Sequence, residues 1–218
     1  MEQSMPIAEV LEIIRVHRVI AIVRLNDLST AIDLSRALLA GGIRALEFTL
    51  SNPAAIKALA EVKAALPEFG RGEAVIGLGT VLNADQARTA IEAGAQFIVS
   101  PATNFATIET CRQLSVAVMP GALTPTEILT AWEAGASAVK VFPARSMGPS
   151  YLKDVREPLP FLRLIPTGGI DRSNITAYLD NGAFAVGVGG NLVDKQLIAA
   201  RAWAALSDRA REFARAAV

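Results

Sequence analysis

Three times along the chain a helical segment ends in a small-residue tripeptide centred on glycine, and an apolar run follows at once. The tripeptides are Ala93-Gly94-Ala95, Ala134-Gly135-Ala136 and Asn181-Gly182-Ala183. Glycine enters the left-handed region without penalty, so each reads as a helix C-cap placed just before a strand. Followed in both directions, the pattern becomes an alternation that covers the whole chain. Apolar runs at 19–24, 45–50, 74–78, 96–100, 116–119, 137–144, 161–166 and 184–188 read as strands. Between them lie helical segments with their own start signals. Asn26-Asp27 caps a helix running to Gly41-Gly42, and Ser51-Asn52-Pro53 opens the next. Asn83, Asn104, Thr124-Pro125 and Asp171-Arg172-Ser173-Asn174 start others, a helix spans 150–156, and a long Ala/Arg-rich helix closes the chain. Ahead of the first strand, Ile7, Val10, Leu11 and Ile14 fall at helical spacing behind Pro6.

Strict β-α alternation calls for a parallel sheet, and about eight such units favour a closed (β/α)₈ TIM barrel. A doubly wound open sheet is the alternative. With no linker, low-complexity segment or shift in composition, residues 1–218 are expected to form one barrel domain carrying an extra N-terminal helix.

Composition narrows the partners. Lys and Arg total 21, as do Asp and Glu, so nothing favours a nucleic acid or a membrane surface. The start, Met1-Glu2-Gln3-Ser4-Met5-Pro6, lacks the basic and apolar regions of a secretory signal, and charges interrupt every apolar run before membrane-spanning length. A single cysteine, Cys111, rules out an internal disulfide and fits a reducing compartment, so a cytoplasmic location is expected. The one histidine, His17, lies on the leading helix, far from any ligand cluster, so neither metal nor cofactor is expected.

Against this background two charges are out of place. Ala138, Lys140 and Phe142 share one face of their strand, while Val139 and Val141 share the other. In a parallel sheet covered on both sides Lys140 sits where a charge is costly, which suggests a nucleophilic amine able to form a Schiff base with a carbonyl. Glu47 sits likewise inside Leu46-Glu47-Phe48-Thr49-Leu50. Burial raises a carboxyl pKa towards neutrality, where it suits general acid–base work. The structural alternative for Lys140 is a strand-end lysine reaching solvent, and for Glu47 an ion pair with Lys140 or Arg24. Arg24, closing the first strand, is either a clamp for a substrate carboxylate or phosphate or an exposed strand-end residue. Glycine clusters follow the seventh and eighth strands as Thr167-Gly168-Gly169 and Gly187-Val188-Gly189-Gly190. Amides exposed there and aimed by helix N-termini would make an anion site.

Taken together, Glu47-Phe48-Thr49-Leu50, Gly77-Leu78-Gly79-Thr80-Val81-Leu82, Phe97-Ile98-Val99-Ser100-Pro101, Val139-Lys140-Val141-Phe142-Pro143-Ala144 and Pro166-Thr167-Gly168-Gly169-Ile170 resemble the 2-keto-3-deoxy-6-phosphogluconate (KDPG) aldolase / 4-hydroxy-2-oxoglutarate (KHG) aldolase family. The resemblance implies a metal-independent class I aldolase on a (β/α)₈ barrel, a homotrimer, that cleaves KDPG to pyruvate and glyceraldehyde 3-phosphate at the end of the Entner–Doudoroff route. It implies that Lys140 forms the Schiff base and that Glu47 moves protons. Thr80 and Pro101 then line the pyruvate pocket, Phe142 packs beside the imine, Gly168, Gly169, Gly189 and Gly190 hold the phosphate, and Thr167 is a further substrate-binding residue. Some members carry an arginine two residues after the Glu-x-Thr; here that residue is Ser51, so carboxylate binding passes to Arg24. Ser51-Asn52-Pro53 also resembles the aldolase for the galactonate epimer of the substrate. Two other readings compete: a phosphosugar isomerase or epimerase on the same barrel, which lacks a second inward carboxylate to pair with Glu47, and a non-catalytic protein binding a phosphorylated ligand.

Overall fold

The computed structural model describes residues 5–217, so residues 1–4 of the polar start and the last residue lie outside the described residues. Helix α1 (Ile7–His17) buries Val10 and Ile14 and leads into β1 (Val19–Val23). There follow α2 (Ala31–Ala40), β2 (Ala45–Thr49), α3 (Ala55–Ala65), β3 (Val75–Gly79), α4 (Ala84–Glu92) and β4 (Phe97–Val99). Next come α5 (Phe105–Gln113), β5 (Ala117–Met119), β6 (Gly121–Ala122), α6 (Pro125–Glu133) and β7 (Val139–Val141). The chain continues through α7 (Ser150–Arg156), β8 (Leu164–Pro166), α8 (Ile175–Asp180), β9 (Val186–Val188), α9 (Lys195–Ala199) and α10 (Trp203–Ala216).

The expected alternation is present, with local corrections. The helix expected from Asn26-Asp27 starts only at Ala31, because the Asp27 carboxylate accepts from Ser29 N (2.8 Å) and Ser29 Oγ (3.0 Å) in a separate turn. The helix after β2 likewise opens at Ala55, and Asn52 instead donates to the Leu25 and Asn26 carbonyls, 3.0 Å each. The closing helix is two helices, interrupted where Arg201 takes φ 49°. Thr124 and Glu127 form a reciprocal capping box, and Asn83 and Asn104 cap as expected. Gly94, Gly135 and Gly182 take φ of 101°, 104° and 92°, the left-handed caps read from the sequence.

All pairings are parallel. One sheet runs β5-β4-β3-β2-β1-β9 and the other β6-β7-β8. Only Pro120 separates β5 from β6, and a parallel bridge joins Thr167, just past β8, to Gly187 of β9. Ser137 N donates to Val118 O (2.8 Å) and Lys140 N to Pro120 O (2.9 Å), so β7 leans on the β5–β6 strand along its length. The fold is thus α/β, with a parallel sheet that curls on itself.

Curling gives the sheet two faces with separate cores. Outward-facing Ala21, Leu46, Ile76, Ile98, Val118, Val139, Leu164 and Val186 pack beneath the helices. Their neighbours, Ile20, Ala45, Val75, Phe97, Ala117, Ala138, Ile165 and Ala185, meet on the concave side together with Val10 and Ile14. Helix α1 therefore covers the amino ends of the strands. The next residues on the concave face, towards the carboxyl ends, include Glu47 and Lys140. Among the described residues no helix is long and apolar enough to cross a membrane.

Candidate active site

Lys140 is central in β7, paired in register with Gly121 on one side and Ile165 on the other, and only 4% exposed. Alternation puts Phe142 on the same face, where its half-buried ring lies 5.3 Å from Lys140 Nζ, within cation–π range. The alternative of a strand-end lysine reaching solvent is thereby excluded.

Glu47 occupies the middle of β2, opposite Ile22 and Gly77, and is 2% exposed. Its carboxylate lies over Gly79, where any Cβ would overlap Oε1. Oε1 itself is buried and has no hydrogen-bond partner among the described residues. Burial pushes this carboxyl above its usual range, opposed by the positive charges of Lys140 and then Arg24. Arg24 is the residue after β1 and is exposed, with its charge still felt at Glu47.

Around this pair the carboxyl ends supply the remaining candidates. Thr80, directly after β3, is half-buried and holds φ 60°, a backbone conformation costly for a β-branched residue. Pro101 presents its carbonyl to Gly121, where no side chain would fit. Pro101, Gly121 and Phe142 wall a cavity of about 440 Å³ that opens between the starts of α5 and α6. Thr49, buried, shares a hydrogen bond of 2.8 Å with Ser51.

Thr167 is buried against Gly187, and its hydroxyl donates to Ile165 O at 3.4 Å. The Phe142 ring packs 3.5 Å from where Gly168 would carry a Cβ, and Gly169 takes φ 84° against the Arg145 side chain. Gly189 and Gly190 face open space. One expectation needs correcting: neither glycine cluster runs directly into a helix. Turns intervene before α8 and α9, and the Asp194 carboxylate already accepts from Gln196 N (2.8 Å) and Leu197 N (3.1 Å) at the start of α9. What the clusters offer an anion is loop backbone. Among the described residues the N–H groups of Gly169, Gly190 and Asn191 donate to no protein acceptor.

Three asparagines to which the sequence reading gave no part in the site tie these loops together. Asn52 joins the loop after β2 to the one after β1. Asn174 Nδ2 donates to Gly169 O (2.9 Å), and Asn191 Nδ2 to Ile170 O (2.8 Å). Asn52 and Asn191 each lie within a few residues of a recognised motif, which is the signal that could have found them. Among the described residues no three His, Cys, Asp or Glu side chains are grouped to hold a metal.

The comparisons agree with this geometry. The family described as KDPG and KHG aldolase matches residues 10–208. The chain is 37% identical over 195 residues to a 2-dehydro-3-deoxy-phosphogluconate aldolase of Treponema pallidum, covering 89% of each. It is 33% identical over 157 residues to a 2-dehydro-3-deoxy-6-phosphogalactonate aldolase of Escherichia coli, covering 72% of this chain and 75% of that one. The structure of a Legionella pneumophila KDPG aldolase, with pyruvate captured as a covalent carbinolamine, superposes with a TM-score of 0.84 at 30% identity, covering 92% of this chain and 96% of that one. A family match over residues 10–208, with a buried lysine and glutamate on the concave face of a curled parallel sheet, places the chain in the KDPG and KHG aldolase family.

Proposed function

We propose that this chain is a class I aldolase that cleaves 2-keto-3-deoxy-6-phosphogluconate to pyruvate and glyceraldehyde 3-phosphate. The observation that carries the reading is the burial of Lys140 and Glu47 on one face with no ion-pair contact between them among the described residues. An amine and a carboxyl are kept apart at the cost of desolvation, which is the arrangement that imine chemistry needs.

The unprotonated Lys140 amine attacks the C2 keto carbon to give a carbinolamine. Glu47 supplies the proton with which the hydroxyl departs as water, leaving an iminium. That cation draws the C3–C4 bonding pair into an enamine while a base, for which Glu47 is placed, removes the C4 hydroxyl proton, and the aldehyde leaves. Protonation of the enamine at C3 and hydrolysis return pyruvate and free lysine. No metal enters these steps. Arg24 neutralises the substrate carboxylate, Thr80, Pro101 and Phe142 enclose the pyruvate end, and the loops at 167–169 and 189–190 take the phosphate. KHG, which yields pyruvate and glyoxylate, is a further substrate by the same chemistry.

The galactonate epimer is the second reading. It is supported by Ser51 behind Glu47-x-Thr49 and by the Escherichia coli relative named for that substrate. An isomerase is less well supported, because no second carboxylate shares the concave face with Glu47 among the described buried residues. We further propose that residues 1–218 form one domain and that its two sheets form one eight-stranded barrel with β5 and β6 as a single strand. The Thr167–Gly187 bridge and the Lys140 N to Pro120 O bond support this closure. A homotrimer working in the cytoplasm, at the last step of the Entner–Doudoroff route, completes the proposal.

The test is intact mass and peptide mapping after incubation with pyruvate and sodium borohydride. A reduced-pyruvate adduct on the Lys140 peptide is expected. No adduct, or one on another lysine such as Lys153, overturns the assignment.

A further inference from the structure

We infer that Arg209, on α10 and outside the site itself, is a positioning residue that holds the two glycine loops at the spacing a phosphate needs. The inference rests on the phosphate reading above and concerns a residue one position beyond the family match, which ends at 208. The two loops come from different strands, and each contains glycines free to move. For their amides to converge on one anion, their relative position must be fixed to about 0.5 Å.

The backbone does not fix it. Between β8 and β9 the last backbone pairing is the Thr167–Gly187 bridge, before either glycine pair is reached. Past that point Asn191 is the link, its side-chain amide donating to Ile170 O (2.8 Å) directly behind Gly169. Asn191 is in turn held from outside: Arg209 Nη1 donates to its carbonyl (2.9 Å), while Arg209 Nη2 pairs with Asp194 Oδ2 (3.1 Å). Asp194 also caps the start of α9. One guanidinium fork therefore clamps both ends of the turn from Asn191 to Asp194, and that turn reaches across to the other loop. A lysine, with a single ammonium, cannot keep both contacts in the same fixed plane. The side chains of Arg209 and Asp194 are 36% and 23% exposed, and a half-exposed pair of this kind contributes little to global stability. Its effect is local. Arg209 lines the open outer cleft beside Arg172 and Glu212, whereas Lys140 and Glu47 lie on the concave face, so its loss leaves the imine chemistry in place.

The experiment compares KDPG with 2-keto-3-deoxygluconate, the same carbon chain without phosphate, in the unaltered protein and in Arg209→Met, Arg209→Lys, Asn191→Ala and the Arg209→Met/Asn191→Ala double variant. Arg209→Met should raise KM for KDPG roughly tenfold, the scale of one lost charge-assisted hydrogen bond, with kcat within about twofold. Its kcat/KM for the unphosphorylated substrate, and its yield of borohydride-trapped pyruvate, should stay within about twofold of the parent. Arg209→Lys should fall between, and the double variant should be no worse than the worse single variant, since both changes cut one chain of contacts. Equal loss on both substrates, as partial unfolding would give, overturns the inference, and so does additivity of the two changes or an unchanged KM for KDPG. Failure of the underlying reading looks different: the unaltered protein then shows no preference for the phosphorylated substrate, or no Lys140 adduct, and the inference falls with it.

Discussion

The carboxylate of Glu47 occupies the space that a side chain on Gly79 would fill: a Cβ at Gly79 would overlap Glu47 Oε1 and crowd Cγ behind it at 2.7 Å. The glycine is thus part of how the acid is held. In Gly79→Ala either Glu47 swings away or β3 shifts, and overpacking of a filled interior costs about 1–3 kcal/mol. Turnover should fall by on the order of a hundredfold, the scale of lost acid–base catalysis. Steady-state rates alongside a thermal melt check this, and a variant with parental kcat would show that the carboxylate is not needed where it lies.

Replacing Lys140 with methionine removes the proposed nucleophile while keeping a chain of similar length in the core. Turnover should drop by roughly 10⁴-fold or more, as when a covalent nucleophile is lost. The fold should persist, because a buried charge has been exchanged for an apolar group. Circular dichroism and the pyruvate–borohydride assay read the two halves separately, and retained turnover would exclude the imine route.

Glu47 gives a stability prediction with a definite sign. Its folded-state pKa lies above the unfolded value because burial outweighs the charges of Lys140 and Arg24. Between those two values the folded state binds more protons, so this residue's contribution to stability falls as pH rises. Glu47→Gln removes that cost. The variant should melt higher than the parent at pH above the folded-state value, and the gap should close towards the unfolded carboxyl pKa of about 4.3. Catalysis should move the other way, with kcat lower by on the order of a hundredfold. Melting curves across pH test the first claim; a gap that widens on acidification would reverse the sign.

Thr80 carries backbone strain at φ 60°. Strain of this kind in a non-glycine residue costs about 1–3 kcal/mol and is retained where the surroundings demand it. Thr80→Gly should therefore raise stability by up to about 1 kcal/mol once glycine's added chain entropy is subtracted. If the hydroxyl contacts the pyruvate end, KM for pyruvate in the aldol direction rises in the same variant. Denaturant melts and initial rates measure both effects.

Cys111 is fully buried and its thiol is pushed up to about 12 by burial. The thiolate is the reactive form. Labelling by a thiol reagent at neutral pH should therefore follow unfolding, with rapid modification only in denaturant. Fast labelling of the folded protein would contradict its position inside the outer core.

Much of this was legible in the sequence because the alternation of faces is strict. Lys140 and Phe142 fall together, and Val139 and Val141 oppose them, for reasons of strand geometry alone. Helix starts were legible where an asparagine or threonine caps its own helix, as at Asn83, Asn104 and Thr124. They were not legible where the same residue type serves a turn or a neighbouring loop, as Asp27 and Asn52 do, because competition between local and distant partners is settled by packing. The exposure of Arg24 and the capping of α9 by Asp194 belong to the same class. Contacts such as Arg209 to Asn191, between residues 18 apart on different elements, leave no trace in spacing.

Helix α1 has a kinetic consequence. Among the described residues Val10 and Ile14 fill the amino end of the concave core, so the open side of the lysine is the carboxyl side. A substrate tethered by its keto carbon at Lys140 then points its far end outward, and of the two fragments only the untethered aldehyde is free to leave at once. On the proposed imine route release is therefore sequential, aldehyde before pyruvate, and synthesis in reverse loads pyruvate first. The covalent tether would set the order of release, and the stoppered amino end the side from which it takes place.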